Sequence, residues 1–467
     1  MINESISIIK KLQESGHQAY WVGGCVRDIL LGKKPNDYDI VTSANPKEIE
    51  KILKNYNLIS VGRQFGVIIA VIDKTHFEIA TFRSEKEYSD ARRPDKVFWA
   101  SAEKDAERRD FTINGLFLDP LTKERIDQWQ LPGIRQMKNT KYGLIIDYIG
   151  GIKDLDEKTI RFIGNANERI NEDHLRILRA IRFKNTFGFK YNNQTFNAIK
   201  ENAEKIKTIS SERIKDELNK MLSHESRYNS LIDLEETWVM RYCLPEISKL
   251  KGVPQPDIYH KEGDVLKHTL LAVKSLPPKS ALTLIWSVLL HDSGKPATIS
   301  FPKSKNDRIR FNKHVKYSAG IASQVCRHLK FPNSERNLIV WLVKNHMILG
   351  DIPRMKLAKQ RLWLMDSRFA WLLKLNKADA MGSKPLDLKL YEKNLALYNK
   401  AKELYEEEKK RPKFKPLISG NDLIREFKLE PGPKIGKLLE LARDAQLEGK
   451  VKTKSDALEL IKSKLSS

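Results

Sequence analysis

Two carboxylates one residue apart, Asp37 and Asp39, follow shortly after a glycine pair and an arginine in Gly23-Gly24-Cys25-Val26-Arg27-Asp28. Side chains two apart on a strand share a face, so the two carboxylates are expected side by side, where they repel unless a cation lies between them. Mg²⁺, usually held by one or two carboxylates plus substrate phosphates, suits that position. Gly23 and Gly24 let the backbone approach a triphosphate, and Arg27 offsets part of its charge. Either half alone reads as a turn or as surface aspartates; together they are the equipment for chemistry on a nucleoside triphosphate.

Strands and helices must hold these groups. Trp21 and Val22 before the glycines, and Ile40 and Val41 after Asp39, mark strand ends. Asn45-Pro46 opens a helix whose apolar face carries Ile49, Ile52 and Leu53. Residues 67–72 and 77–82 read as adjacent strands, giving a mixed sheet with helices. Ile2, Ile6, Ile9 and Leu12 form one face of an N-terminal amphipathic helix ending near Gly16.

Residues 23–40 resemble the first motif of class II tRNA nucleotidyltransferases and bacterial poly(A) polymerases, which share the nucleotidyltransferase head of the polymerase-beta superfamily. The resemblance implies a third carboxylate from a later strand, a place that Glu78 matches, although Glu78 reads equally as an exposed strand residue. In Arg108-Arg109-Asp110-Phe111-Thr112-Ile113-Asn114-Gly115-Leu116, positions 110 and 114 lie one helical turn apart. That stretch resembles the second motif, in which Asp110 and Asn114 would hold the nucleotide sugar and Arg109 would meet phosphate. The polar residues 83–96, with Arg83, Tyr88, Asp90, Arg92 and Arg93, read as a mobile loop beside the site, where the family has a loop implicated in switching from C to A addition. Gly150-Gly151-Ile152-Lys153-Asp154-Leu155 resembles the hinge between head and neck. Residues 121–146 depart from the family pattern as an insertion of no assigned role.

Glu172-Asp173-His174-Leu175-Arg176 begins a stretch read as a helix to residue 183, with Arg176, Arg179 and Arg182 in a cationic stripe and Asp173 beside Arg176. A carboxylate accepts and a guanidinium donates. Cytosine and adenine each offer an amino donor beside a ring-nitrogen acceptor, whereas uracil and guanine reverse that pairing. The stretch resembles the E-D-x-x-R motif, in which Asp173 and Arg176 would select CTP and ATP while Arg179 and Arg182 contact phosphates. Ser211-Glu212-Arg213-Ile214 resembles the last neck motif and is given a structural role, with Ser211 as a helix cap.

A second set of chemical residues runs through His260, His268, His291-Asp292, His314, His346 and Asp379. Leu289-Leu290-His291-Asp292-Ser293-Gly294-Lys295 resembles the HD phosphohydrolase signature, whose ligands would be His268, His291, Asp292 and Asp379. These suit a divalent metal whose bound water hydrolyses a phosphoester. His314 and His346 could add a second metal or contact phosphate. A structural remnant without metal is the alternative.

With 467 residues the chain is too long for one ordinary domain, and its 84 Lys and Arg against 60 Asp and Glu give a formal charge of +24. Such an excess favours a polyanionic partner, nucleic acid first. Cys25, Cys243 and Cys326 lie far apart with no C-x-x-C pair, which argues for a reducing, cytoplasmic location and against structural zinc. The N-terminal helix lacks a signal core, and no apolar run is long enough to span a membrane. Helical segments after Pro416 and Pro433 resemble the tail of bacterial CCA-adding enzymes carrying an HD domain.

The expected fold is thus an α/β nucleotidyltransferase head over residues 1–160. An all-α neck and body follow at 161–255, an HD-type helical domain at 256–385 and a tRNA-binding tail at 386–467. The resemblance implies addition of the 3′-terminal CCA to tRNA from CTP and ATP, with Mg²⁺ and no membrane or protein partner. Poly(A) polymerase, an enzyme adding only A or only CC, a metal phosphohydrolase, and a non-catalytic RNA-binding protein are the alternatives.

Overall fold

A computed structural model describes residues 1–60, 62–86, 96–122, 133–304, 307–409 and 416–466. Two units emerge, Met1–Ser248 with His328–Lys330, and Lys249–Arg327 with Phe331–Ser467.

The first unit is built on β1 (Ala19–Val22), β2 (Ile40–Thr42), β3 (Asn57–Ile59), β4 (Val67–Ile72) and β5 (Thr75–Thr81). A separate antiparallel pair, β6 (Arg83–Lys86) and β7 (Lys96–Trp99), follows; residues 87–95 of the expected mobile loop lie outside the described residues. β8 (Phe117–Asp119), β9 (Gln136–Thr140) and β10 (Gly143–Asp147) complete an eight-stranded sheet ordered β3-β4-β5-β2-β1-β8-β10-β9. β2 and β5 run parallel, with Ile40 opposite Ile79, and the other neighbours are antiparallel. Part of the 121–146 insertion is therefore the β9–β10 hairpin, which extends the sheet at one edge.

Both faces of this sheet are covered. The helix Ile2–Glu14 buries Ile8, Ile9 and Leu12 completely, and its Ser5 hydroxyl accepts a 3.2 Å hydrogen bond from Trp21 Nε1 of β1. A second cluster contains Tyr20, Val22, Val41, Phe82, Phe117 and Tyr148. The helix Pro46–Ile52 starts at a capping box of Asn45 and Glu48, which satisfies its first backbone donors. Asp147, fully buried at the end of β10, accepts from the backbone N–H groups of Ile149, Gly150, Gly151 and Ile152 at 2.8–3.1 Å and fixes the expected hinge.

Helices dominate the described residues of the remainder, with departures at the two-residue strand pairs Thr159–Ile160 with Lys190–Tyr191 and Ile299–Ser300 with Arg310–Phe311. In the second unit the helix Leu282–Leu290 is apolar nearly all round and is buried, as an interior helix must be. Around it stand the helices Val265–Ser275, Asn333–Asn345 and Phe369–Gly382. Close to the C-terminus, Gly420–Phe427, Pro433–Leu447 and Lys454–Ser466 share a small core of Leu423, Leu438, Ala457 and Ile461. No described helix is long and apolar enough to cross a membrane.

Candidate functional site

Asp37 and Asp39 lie in the extended segment that leads into β2, where the Asp39 carbonyl accepts from Val22 N of β1 at 3.1 Å. Alternation sets their direction. Tyr38 points into the core, its ring 4.9 Å from Trp21, so its two neighbours point outward together. They line a cleft of about 620 Å³ with Gly23, Gly24, Arg27, Arg109, Asp110, Asn114, Asp173, Arg176 and Arg179. Arg83, Arg108 and Arg213 also line it. Glu78 is exposed on β5 and is not among the lining residues, though its charge reaches Asp39.

Charge compensation divides this cleft sharply. Neither Asp37 nor Asp39 has a salt bridge among the described residues, and burial, then Asp37 and Glu78, push the Asp39 carboxyl up to about 6. A pair of carboxylates that lacks a protein cation fits a hard divalent ion. The arginines, by contrast, are held by acids. Arg27 donates to Asp28 at 2.9 Å and to the Asn114 side-chain oxygen at 2.6 Å. Asp105, fully buried, accepts from Arg108 and Arg109, both at 2.9 Å. Burial opposes its charge, but those two guanidiniums prevail and hold its carboxyl below the usual range.

Asp110 accepts from Arg179 at 2.6 and 2.8 Å and from the Asn114 amide at 3.1 Å, so the expected sugar-binding pair is already tied together. Burial likewise works against its ionised form and Arg179 outweighs it, lowering its pKa. Arg182 lines no part of the cleft; it donates to buried Glu217 at 2.6 Å. Arg179 and Arg182 thus engage protein carboxylates.

Around Asp173 the sequence expectation needs correction. The stretch is not one helix. Ala166–Glu172 ends at Asp173, whose φ of −148° and ψ of 106° are extended, and a new helix runs from Arg176 to Phe187. The Asp173 carboxylate competes locally for the backbone, accepting from Leu175 N at 3.1 Å, and this side-chain alternative breaks the helix. Consequently Asp173 and Arg176 do not pair. Arg176 donates to Glu172 at 2.5 Å, and Asp173 receives Arg213 Nη2 at 2.8 and 3.0 Å. Ser211 is the first residue of its helix and Ser210 occupies the cap position without a side-chain cap bond. Sequence reasoning gives Asp105 no part, Asp28 only a place within the first motif, and Arg213 only a place within a neck segment of structural role. Asp105 carried a signal, since it stands three and four residues before Arg108 and Arg109, whereas Arg213 lies 40 residues from Asp173.

In the second unit the histidines and aspartates do meet. His268, His291 and Asp292 form one group of candidate ligand atoms, Asp292, His314 and His346 another, and His260, Glu262 and His268 a third. Asp379 Oδ1 lies 3.0 Å from His268 Nε2 and 3.4 Å from His291 Nε2. Burial disfavours charge on His291, but Asp292 and Asp379 outweigh it and lift its pKa to about 10; burial and then His291 push His346 down to about 4. His291 Nε2 is nevertheless buried without a hydrogen bond. Imidazole and carboxylate donors around an orphaned ring nitrogen fit a divalent metal. Two further residues complete the group: Glu262 accepts from His268 Nδ1 at 3.1 Å and from His260 Nδ1 at 2.7 Å, and Lys295 Nζ donates to Asp292 at 2.6 Å.

Comparison with known proteins adds family context. Residues 19–161 match the Poly A polymerase head domain family, 188–251 the RNA and SrmB-binding site of polymerase A, and 309–461 the tRNA nucleotidyltransferase domain 2 family. The CCA-adding enzyme of Lactococcus lactis subsp. lactis is 30% identical over 461 residues, covering 97% of this chain and 94% of the relative. That of Enterococcus faecalis is 40% identical over 241 residues, 51% of this chain and 54% of its own. The Bacillus stearothermophilus CCA-adding enzyme in complex with CTP has the same fold, with TM-score 0.67 at 24% identity over 99% of this chain and 98% of that one.

Proposed function

The chain belongs to the family of CCA-adding enzymes, and we propose that it builds the 3′-terminal CCA of tRNA from CTP and ATP without a nucleic-acid template. One observation carries this reading: two carboxylates without a protein counter-ion share a cleft with arginines and with Asp173. The tRNA 3′-hydroxyl oxygen attacks the α-phosphorus, its proton is lost, the bond from that phosphorus to the bridging oxygen breaks, and pyrophosphate leaves. Enzymes of this kind use divalent metals; Mg²⁺ held by Asp37 and Asp39 would supply charge for the transition state and lower the pKa of the attacking hydroxyl. Glu78 adds negative potential from β5.

The chain's own groups do the rest. Arg27 and Arg109 present cations to the phosphates while Asp28 and Asp105 keep them in place, and Asp110 with Asn114 offers acceptor and amide to the sugar. Asp173 accepts the amino group of cytosine or adenine and Arg176 donates to the adjacent ring nitrogen. Arg213 is a positioning residue, holding the Asp173 carboxylate in one rotamer. The +24 formal charge supports tRNA binding through phosphates and shape, with a steep loss of affinity on added salt. Such an enzyme works in the cytoplasm, where its substrates are, and the three buried, unpaired cysteines accord with that.

Incorporation from labelled CTP and ATP, on tRNA lacking its 3′ end and on tRNA ending in CC, is the test. Three additions followed by a stop support the reading; a long ladder from ATP alone makes the protein a poly(A) polymerase instead.

The buried His and Asp group favours a second reading of the other unit, as an HD-type phosphohydrolase site. His268, His291, Asp292 and Asp379 would hold a divalent ion there, which would supply a water of lowered pKa for phosphoester hydrolysis. The cleft it faces, about 750 Å³, is lined by Lys295, Arg308, Arg310 and Tyr259, groups suited to a phosphorylated substrate.

A further inference from the structure

We infer that Phe183 and Phe187 are positioning residues for nucleotide binding, forming an aromatic floor that holds the Arg27 guanidinium with its remaining N–H groups available to the triphosphate. The inference rests on the reading of Arg27 as a phosphate-binding group and adds what keeps that group in place.

The edges of the guanidinium come first. Arg27 carries five N–H donors in one plane. Nε donates to Asp28 Oδ1 at 2.9 Å, Nη2 lies 2.8 Å from the same oxygen, and Nη1 donates to the Asn114 side-chain oxygen at 2.6 Å. At least one N–H on each terminal nitrogen is then left without a protein partner among the described residues. Nη2 stands beside Gly24, where a Cβ would fall 3.6 Å from it, so a spare donor lies at the glycine expected to let a triphosphate close to the backbone. Two acceptor atoms do not fix a plane, however. A guanidinium tied to one carboxylate oxygen and one amide oxygen still rocks about the line that joins them, and a further surface is needed to stop it.

The helix Arg176–Phe187 supplies that surface. Arg27 Cζ stands over the Phe187 ring at 4.6 Å from its centroid and over the Phe183 ring at 5.3 Å, both within the range at which an aromatic face attracts a cation. Four residues apart on one helix, the two rings share a side and lie nearly parallel, 11° at 5.7 Å. Phe183 is buried and meets Phe111 edge to face at 5.6 Å, which anchors the floor against the second motif. Arg179 and Arg182 stand over the same ring at 5.3 and 4.1 Å. Phe187 is only half-buried at the last residue of its helix, so core packing explains little of it. Besides Phe183 and Phe189, its ring meets charge, namely Arg27 and, at 5.1 Å, Lys33.

One rigid element thus serves two parts of the nucleotide. Arg176 at its start is the donor assigned to the base, and Phe183 and Phe187 toward its end carry the arginine assigned to phosphate. Because every nucleoside triphosphate has the same phosphates, loss of the floor weakens all of them alike, unlike a change at Asp173 or Arg213.

The test is the dissociation constant for CTP and for ATP, by calorimetric titration of the full chain in Mg²⁺, a quantity that is read whether or not a variant turns over. Phe187→Leu keeps an apolar side chain and removes the aromatic face; it should weaken both nucleotides by the same factor, about 3- to 10-fold, with the thermal midpoint reporting that the fold is kept. Phe187→Tyr, which retains the face, should recover most of that loss. Added to Arg27→Met, Phe187→Leu should cost nothing further, because its effect passes through Arg27. Phe183 is left in place, since its removal also opens the packing against Phe111. Unchanged affinity in Phe187→Leu, equal losses in Phe187→Leu and Phe187→Tyr, or a further loss in the Arg27→Met background each overturns the inference and leaves the role of Arg27 standing. Unaltered affinity in Arg27→Met alone overturns the phosphate reading, and the inference with it.

Discussion

The two groups of chemical residues are prepared in opposite ways. In the first unit the protein neutralises its own cations, Arg109 by Asp105, Arg179 by Asp110 and Arg176 by Glu172, and leaves the carboxylates Asp37 and Asp39 without a salt bridge among the described residues. In the second unit His268, His291, Asp292 and His346 are buried while His314 and Asp379 stay partly exposed, the ring protons are committed to backbone carbonyls and to Glu262, and a lysine, Lys295, already sits on the central carboxylate. A site that must admit and release a nucleotide at every addition keeps its groups aimed by ion pairs at the wall of an open cleft. A site suited to a resident cation fixes the tautomers of its ligands.

The sharpest way to break this contrast is to remove one carboxylate of the first site. Asp39→Asn should lower nucleotide incorporation by about a thousandfold or more, roughly 4 kcal/mol of transition-state stabilisation, while divalent-metal content in the second unit stays unchanged. If both fall together, the two sites are not separate. Next in size is Glu262→Gln, which loosens the ring of His268 without removing a ligand; metal affinity at the second site should drop about 10–100-fold, measured by competition with a coloured chelator, with incorporation intact. Arg213→Met should act on choice more than on rate. Losing the Asp173 rotamer lock should cost roughly tenfold in discrimination against UTP and GTP, about 1.4 kcal/mol, with Arg213→Lys restoring part of it. Equal loss for all four nucleotides would reduce Arg213 to a structural strut.

The smallest effects concern protons. Asp39 sits near pKa 6, above its ordinary value, and metal needs it ionised. At limiting Mg²⁺, incorporation should therefore fall as pH drops through about 6, and excess Mg²⁺ should move the midpoint lower because metal competes with the proton. Glu78→Gln removes one of the charges that raise Asp39 and should shift that midpoint down by a few tenths of a unit with roughly a threefold change in rate at most. A collapse in rate would instead make Glu78 a direct metal ligand.

Much was legible in the chain before any fold was known. The glycine pair with Arg27 and the Asp37 and Asp39 spacing are local patterns that strand and helix periodicity place, while the Arg109 to Asn114 stretch and the order of His268, His291-Asp292 and Asp379 were legible through their resemblance to family motifs. Local spacing also explains the misreading at Asp173. Asp173 and Arg176 stand three apart and look like helical neighbours, yet the Asp173 carboxylate takes the Leu175 N–H and breaks the helix between them.

By itself, then, the sequence determined the residue types, the extended segment before β2 that carries the carboxylate pair, and most of the helices around the second group, because these follow from interactions within a few residues. Tertiary structure alone decided the partners across long separations: Asp110 with Arg179, Asp173 with Arg213, His268 with Asp379, and the two oxygens of Asp292 facing different histidines. A side chain's charge is written in its own residue, but whether that charge is neutralised, and by what, depends on which distant backbone the core brings within about 3 Å of it.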